Sequence, residues 1–359
     1  VAEYIIRPYQ PDDKEEFLSL FETVMGKKRT TDWFDWKYEK NPYVDHVPMI
    51  VALNEGTVIG ARPLFALPLV INGEQDIALQ PGDAMVHPEY RRQGLFSRMM
   101  EQMVEKYSES CPFYFSFPNS LSEPAHIKHG SQIVSKRSSY YRIENPSSIA
   151  ETRTDRDMIQ LISRIGTPIA KKYYRFRDAI TGEGELSTIR TESDPPVADL
   201  AALYRTSVPD KIHAFRDEQF YQWRLKNPDW KYTTYIAGGD AGLEAAIITG
   251  TSVDSDSIIT KLTDVVPVET APDSVLVGLI SQILADHSET DLFVAPSQGI
   301  PDSVLKKFGF HPDTTPPLSF LASQTTHVVR TLTTSWTHNG MNITNPDNWL
   351  LTFIEEDTS

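Results

Sequence analysis

HPEYRRQGLF, residues 87–96, sets two adjacent arginines and one glycine at the join between two differently patterned segments. Upstream, DAMV (residues 83–86) reads as a strand. Downstream, Phe96, Met99, Met100, Met103, Val104 and Tyr107 recur at the spacing of one helix face, so Gly94 opens an amphipathic helix. A helix start leaves backbone N–H groups unpaired and carries the positive end of the helix dipole, which makes it an anion site without dedicated side chains. A glycine lets the main chain approach phosphate oxygens closely, and Arg91 and Arg92 add charge at the mouth. The join therefore reads as a seat for a diphosphate. It carries one glycine and no Gly-Lys-Ser/Thr, which excludes the dinucleotide and P-loop fingerprints.

Working outward, residues 47–88 hold strands separated by Asn54-Glu55-Gly56 and by Asn72-Gly73, the second a strong hairpin signal. PFYFSFPN (residues 112–119) reads as a buried strand, and SEPAHIKHG (residues 122–130) as a short helix ending at Gly130. Strand, helix and strand form a βαβ unit beside antiparallel strands, an α+β (mixed α/β) fold with sheets flanked by helices.

The chain also echoes itself. IIRPYQPDDKEEFLSLFETV (residues 5–24) has the same order of strand, turn and helix as TIRTESDPPVADLAALYRTSV (residues 188–208). WFDWKYEKNPY (residues 33–43) is matched by FYQWRLKNPDW (residues 220–230), which aligns Trp36 with Trp223 and Asn41-Pro42 with Asn227-Pro228. Two copies of one unit are expected: residues 1–148, a linker at 149–183, and residues 184–359. The aromatic clusters read as helices that pack their rings and stop before proline. The basic run Lys171-Lys172-Tyr173-Tyr174-Arg175 in the linker reads as a packing edge.

With 49 acidic against 34 basic side chains the net charge is −15, which argues against a nucleic-acid partner. The acids are scattered, as on a solvated surface. Cys111 is the only cysteine and has no partner for an internal disulfide, which fits a small buried residue in a reducing compartment. No run of about eighteen apolar residues and no leader pattern at Val1 to Tyr4 are present, so a cytoplasmic protein without a membrane partner is expected. The histidines lack the spacing of a zinc site, and no metal is expected.

Arg-x-x-Gly after a strand ending Val-His-Pro-Glu-Tyr resembles motif A of the GNAT superfamily of acyl-CoA N-acyltransferases. Asn119, Ser122, His126 and Gly130 keep the register of that family's next segment. The tandem layout is similar to the Eis-like, amino-sugar-modifying branch. The resemblance implies acetyl-CoA (coenzyme A) as cosubstrate, its pyrophosphate held by Arg91, Arg92, Gln93, Gly94, Leu95, Phe96 and Ser97, with Asn119 beyond. It also implies a backbone N–H at Met85 or Val86 facing the thioester, on a strand that splays from its neighbour. Phe96 stands where the family usually has Gly or Ala, and His126 where many relatives have a tyrosine acid.

An ammonium has no lone pair, so the attacking amine must lose a proton. Asp83 is the local candidate for the base, or else a carboxylate capping the turn after Pro81-Gly82. His126 is the candidate acid for the departing thiolate, or else a histidine on a helix surface. The family's use of a terminal carboxylate points to Ser359. The second copy has no Arg-x-x-Gly between Val266 and Ser274, and Leu305 stands at the proton-donor position. It reads as a degenerate copy that shapes the substrate cleft. The expected activity is transfer of an acetyl group to a primary amine of a small molecule or amino sugar. The alternatives are a CoA-binding module without turnover and an aminoacyl-transferring relative.

Overall fold

The computed structural model describes residues 4–120, 122–145, 188–240, 242–254, 257–316, 318–320 and 324–358. The expected linker at 149–183, its basic run and Ser359 lie outside the described residues.

The first half runs β1 (Ile5–Pro8), α1 (Lys14–Met25), α2 (Thr31–Phe34), β2 (Met49–Asn54), β3 (Thr57–Ile71), β4 (Glu74–Pro81), β5 (Met85–Val86), α3 (Leu95–Tyr107), β6 (Phe113–Ser116), α4 (Glu123–Lys128), β7 (Gln132–Arg137) and β8 (Ser139–Ile143). Both expected turns form. Asn72 (φ 52°) with Gly73 (φ 80°), and Glu55 (φ 50°) with Gly56 (φ 89°), take the left-handed geometry that matches strand twist in tight hairpins. The aromatic helix α2 continues into a π-helical turn, Asp35–Glu39, before Pro42 ends it. Met99, Met100, Met103 and Tyr107 of α3 pack on Ile50, Ala52, Ile59, Leu64 and Leu79 of one sheet face. Phe17, Leu20 and Phe21 of α1 fill the larger core on the other.

The second half runs β9 (Thr188–Glu192), α5 (Val197–Thr206), β10 (His213–Ala214), α6 (Glu218–Arg224), β11 (Lys231–Gly239), β12 (Gly242–Asp254), β13 (Ser257–Val266), α7 (Asp273–Asp286), β14 (Leu292–Pro296), α8 (Asp302–Lys307), β15 (His311–Pro312) and β16 (Thr325–Thr331). The two sheets have equivalent orders, β1-β2-β3-β4-β6-β16-β7 and β9-β11-β12-β13-β14-β8-β15. Each half lends one strand to the other's sheet. β16 lies between β6 and β7, and β8 between β14 and β15. A cut between the expected units 1–148 and 184–359 would therefore leave one strand of each inside its neighbour's sheet.

The repeated tryptophans mark the relation between the halves. Trp36 and Trp223 lie nearly parallel, ring centres 6.3 Å apart. The Trp36 indole N–H donates to the Trp223 carbonyl at 3.0 Å, and that of Trp223 to the Trp36 carbonyl at 2.9 Å. Such reciprocity places a pseudo-two-fold axis between them.

The chain's final segment seals the same interface. Arg216, wholly buried, donates to Asp264 (2.9 and 3.0 Å) and to Glu355 (2.7 Å). Arg224 donates to the carbonyl of Ile354 at 2.9 Å, and Arg137 to the carboxylate of Glu356 at 2.8 Å.

Candidate active site

At the join, Arg92 (φ 63°) and Gly94 (φ 78°) both take left-handed backbone, and Gly94 caps α3 from outside. The first helical bond is Arg98 N–H to the Gly94 carbonyl at 3.1 Å. Among the described residues, the backbone N–H groups of residues 92–97 have no acceptor. They open on solvent, since residues 91–94 are exposed while Leu95 turns into the core. An ideal Cβ on Gly94 would meet nothing within 4 Å. The glycine is thus favoured by its φ and not by a protein neighbour. Arg91 donates back to the Val86 carbonyl at 3.1 Å, and Gln93 accepts from the Tyr4 hydroxyl at 2.5 Å. The first contact holds the loop against the strand that feeds it, the second against the start of β1.

That strand parts from its neighbour. β4 and β6 share one parallel register pair, Leu79 with Tyr114, and the Ser116 hydroxyl still reaches the Pro81 carbonyl at 2.8 Å. Beyond it Gly82, Asp83 (φ 46°) and Ala84 break the strand, and β5 continues on β3 alone, Met85 opposite Ala61 and Val86 opposite Gly60. His87 N–H bonds the Ile59 carbonyl at 2.8 Å. Antiparallel pairs alternate, so Met85 turns its N–H toward β3 and Val86 turns its N–H away, into the gap. Of the two amides expected to face a thioester, the one that opens on the gap is that of Val86.

Asp83 lies in the broken stretch. It accepts from Lys37 at 2.6 Å and from the Tyr38 hydroxyl at 2.9 Å, and Lys37 also donates to Asp357 at 2.9 Å. Burial pushes the Asp83 carboxyl up, but Lys37 and Tyr38 more than offset it, leaving the pKa below the ordinary value. Lys37 is buried, yet the two carboxylates raise its pKa. Gly82 is needed here as well. A Cβ would lie 2.5 Å from the carboxylate of Asp357, so the glycine admits the C-terminal segment to the mouth of the gap.

His126 does not sit on a helix surface. It is buried on α4, and burial, with Arg62 and His129 nearby, lowers its pKa to about 4. With its pKa so lowered it is neutral at pH 7 in the free protein. Asn119 is exposed, and its carbonyl and side-chain oxygens accept from Glu123 N–H and Ser122 N–H, which starts α4. Phe96 and Ser97 on the first turn of α3 both touch His129, so α3 and α4 meet at the join. Cys111 is buried and its thiol pKa is pushed up to about 12 by that burial, which makes it inert.

The second half has the same parted strands but fills them. β13 and β14 pair as far as Lys261 with Val294; beyond, the Thr263 carbonyl accepts from Phe353 N–H at 3.2 Å and Ile354 N–H at 3.1 Å. Leu305, aligned with His126, is wholly buried.

Four residues escaped the sequence reading: Lys37, Asp357, Arg62 and Arg330. Arg62 had a signal, as the one charged residue in the apolar strand TVIGARPLFALPLVI. The others are brought together by tertiary structure alone.

A strand that leaves its neighbour is thus followed by a helix start with free amides. Residues 5–125 match the family model described as acetyltransferase (GNAT) domain. A GCN5-related N-acetyltransferase from Anabaena variabilis ATCC 29413 is similar in structure over 92% of this chain and 73% of that one, at 13% identity and a TM-score of 0.61. A probable N-acyltransferase from Enterococcus faecalis V583 aligns over the same shares at 10% identity and a TM-score of 0.63. Saccharomyces cerevisiae N-myristoyltransferase with bound myristoyl-CoA aligns over 92% of this chain and 83% of that one, at 11% identity and a TM-score of 0.58. No curated protein matches the chain in sequence. No described helix is long and apolar enough to cross a membrane.

Proposed function

We propose that the chain is a coenzyme-A-dependent N-acyltransferase that moves a short acyl group, acetyl in the first instance, to a primary amine of a small molecule or amino sugar. The observation that carries this reading is the run of unpaired amides at residues 92–97, next to a strand edge left open by the break at residues 82–84. The amides and Arg92 suit a diphosphate, and the open edge suits the pantetheine arm, with the Val86 N–H placed to receive charge on the thioester oxygen as the amine attacks.

The amine arrives as an ammonium. Asp83 and Asp357 share one lysine, so the cluster keeps a surplus negative charge at the mouth of the gap. A carboxyl held below its ordinary pKa is a weak base, so Asp83 serves better to anchor the cationic amine than to deprotonate it, and the proton passes to water. His126, neutral and buried, helps to line a small cavity beneath α3 and α4. The exchanged strands and the paired tryptophans favour a tandem, Eis-like arrangement in which the second half binds no coenzyme, its gap being taken by residues 353–354.

The test is thiol release from acetyl-CoA mixed with polyamines, amino sugars and aminoglycosides. Release with at least one amine is expected. Saturable binding of acetyl-CoA with no release for any of them would favour a coenzyme-binding module, and no binding would end the proposal.

A further inference from the structure

β3 runs through the core with a single charge, Arg62, which is wholly buried. None of its three guanidinium nitrogens has a hydrogen-bond acceptor, and the group lies 4.7 Å from the centre of the Phe96 ring on the first turn of α3. Arg330 comes from β16, and its Nη1 is likewise buried without an acceptor. Both line one small cavity of about 10 Å³ between α3, α4 and the sheet, with Pro81, Tyr114, Ser116 and His126. No carboxylate lines it. Burial brings the Arg62 pKa down to about 10, with Arg330 adding repulsion, so Arg62 remains a cation at neutral pH.

A buried guanidinium without a counter-ion is among the costliest placements in a protein, and a second one beside it raises the cost. Among the described residues, no side chain here supplies the stabilising charge. Planar forks of this kind match phosphate and carboxylate oxygens. We propose that Arg62 and Arg330 form a two-guanidinium pocket for an oxyanion of the thioester ligand, built jointly by both halves because Arg330 rides on the exchanged strand β16. The ring of Phe96 covers Arg62, and admitting an oxyanion to a space of about 10 Å³ requires that ring to turn aside. The oxyanion has two sources, the coenzyme's diphosphate or a carboxylate at the end of a dicarboxylic acyl chain. The inference rests on reading the join as a coenzyme-A site.

The experiment is equilibrium titration of the full chain, Arg62→Met and Arg330→Met, with coenzyme A, acetyl-CoA, succinyl-CoA and inorganic pyrophosphate. Loss of a charged hydrogen-bond pair weakens binding about tenfold or more. A loss shared by all the coenzyme compounds assigns the pocket to the diphosphate; a loss confined to succinyl-CoA assigns it to the acyl carboxylate. Unchanged binding in both variants, with the wild type binding coenzyme A, overturns the pocket and leaves the proposed function standing. Arg62-dependent binding of pyrophosphate without binding of any coenzyme compound keeps the pocket and overturns the coenzyme reading; no binding of any probe overturns both. Melting temperature checks the variants. Arg62→Met removes an unpaired buried charge and is expected to raise Tm, whereas a fall marks Arg62 as a structural cation and overturns the proposal.

Discussion

Gly94→Ala separates two reasons for a glycine at the head of α3. The residue takes φ 78°, and a Cβ there meets no atom within 4 Å, so alanine clashes with nothing in the free protein. What remains is left-handed strain, about 1–2 kcal/mol for a residue with a Cβ. The loop is exposed and its amides at residues 92–97 are unbonded, so the free variant relaxes and the strain reappears when a ligand demands the original geometry. Calorimetric titration with acetyl-CoA is then expected to show binding weaker by about 5- to 30-fold, with little change in Tm. Gly26→Ala is the control. Gly26 ends α1 at φ 69°, also with nothing within 4 Å of a Cβ, but its N–H is tied to the Glu22 carbonyl at 2.9 Å. The same strain there is expected to lower Tm and leave binding alone. Unchanged acetyl-CoA affinity in Gly94→Ala would refute the claim that these amides hold the ligand.

Further outcomes follow from the core and the interface. Arg216→Leu strands the carboxylates of Asp264 and Glu355, and urea unfolding is expected to lose about 3–5 kcal/mol. Trp36→Ala and Trp223→Ala each remove a buried ring and its N–H bond; each is expected to cost about 3–5 kcal/mol, and the double variant less than their sum, since both break one reciprocal pair. Burial, joined by nearby arginines, depresses His126 and His213 to pKa values of about 4 in the folded state, against an ordinary 6.5. The unfolded chain takes up these protons first as pH falls. Their contribution is therefore complete above pH 6.5 and is lost between pH 6.5 and about 4, by about 3 kcal/mol each at most, visible as a falling urea midpoint. A flat profile across that window would contradict their burial. Asp83→Asn removes one of two carboxylates from Lys37 and is expected to raise KM for a cationic amine while leaving acetyl-CoA affinity within about twofold, read by steady-state kinetics.

Local signals carried the elements that depend on near neighbours. Asn72-Gly73 names its hairpin because few residues accept positive φ in sequence. Gly94 and the methionines of α3 name a helix and its free start, because capping and periodicity act over a few residues. The repeat around Trp36 and Trp223 was legible as duplication, though not as a reciprocal contact. What depended on distant segments was not legible. The exchange of β8 and β16, the neutral state of His126, the tethering of Asp83 by Lys37 and the meeting of Arg62 with Arg330 each require residues from far along the chain. A strand's hydrogen-bonding edge is the same along any apolar run, so its partner is chosen by packing of the whole fold. For the same reason, Arg-x-x-Gly alone could announce an anion seat, while the charges lining its depth were decided only when a strand of one half entered the other's sheet.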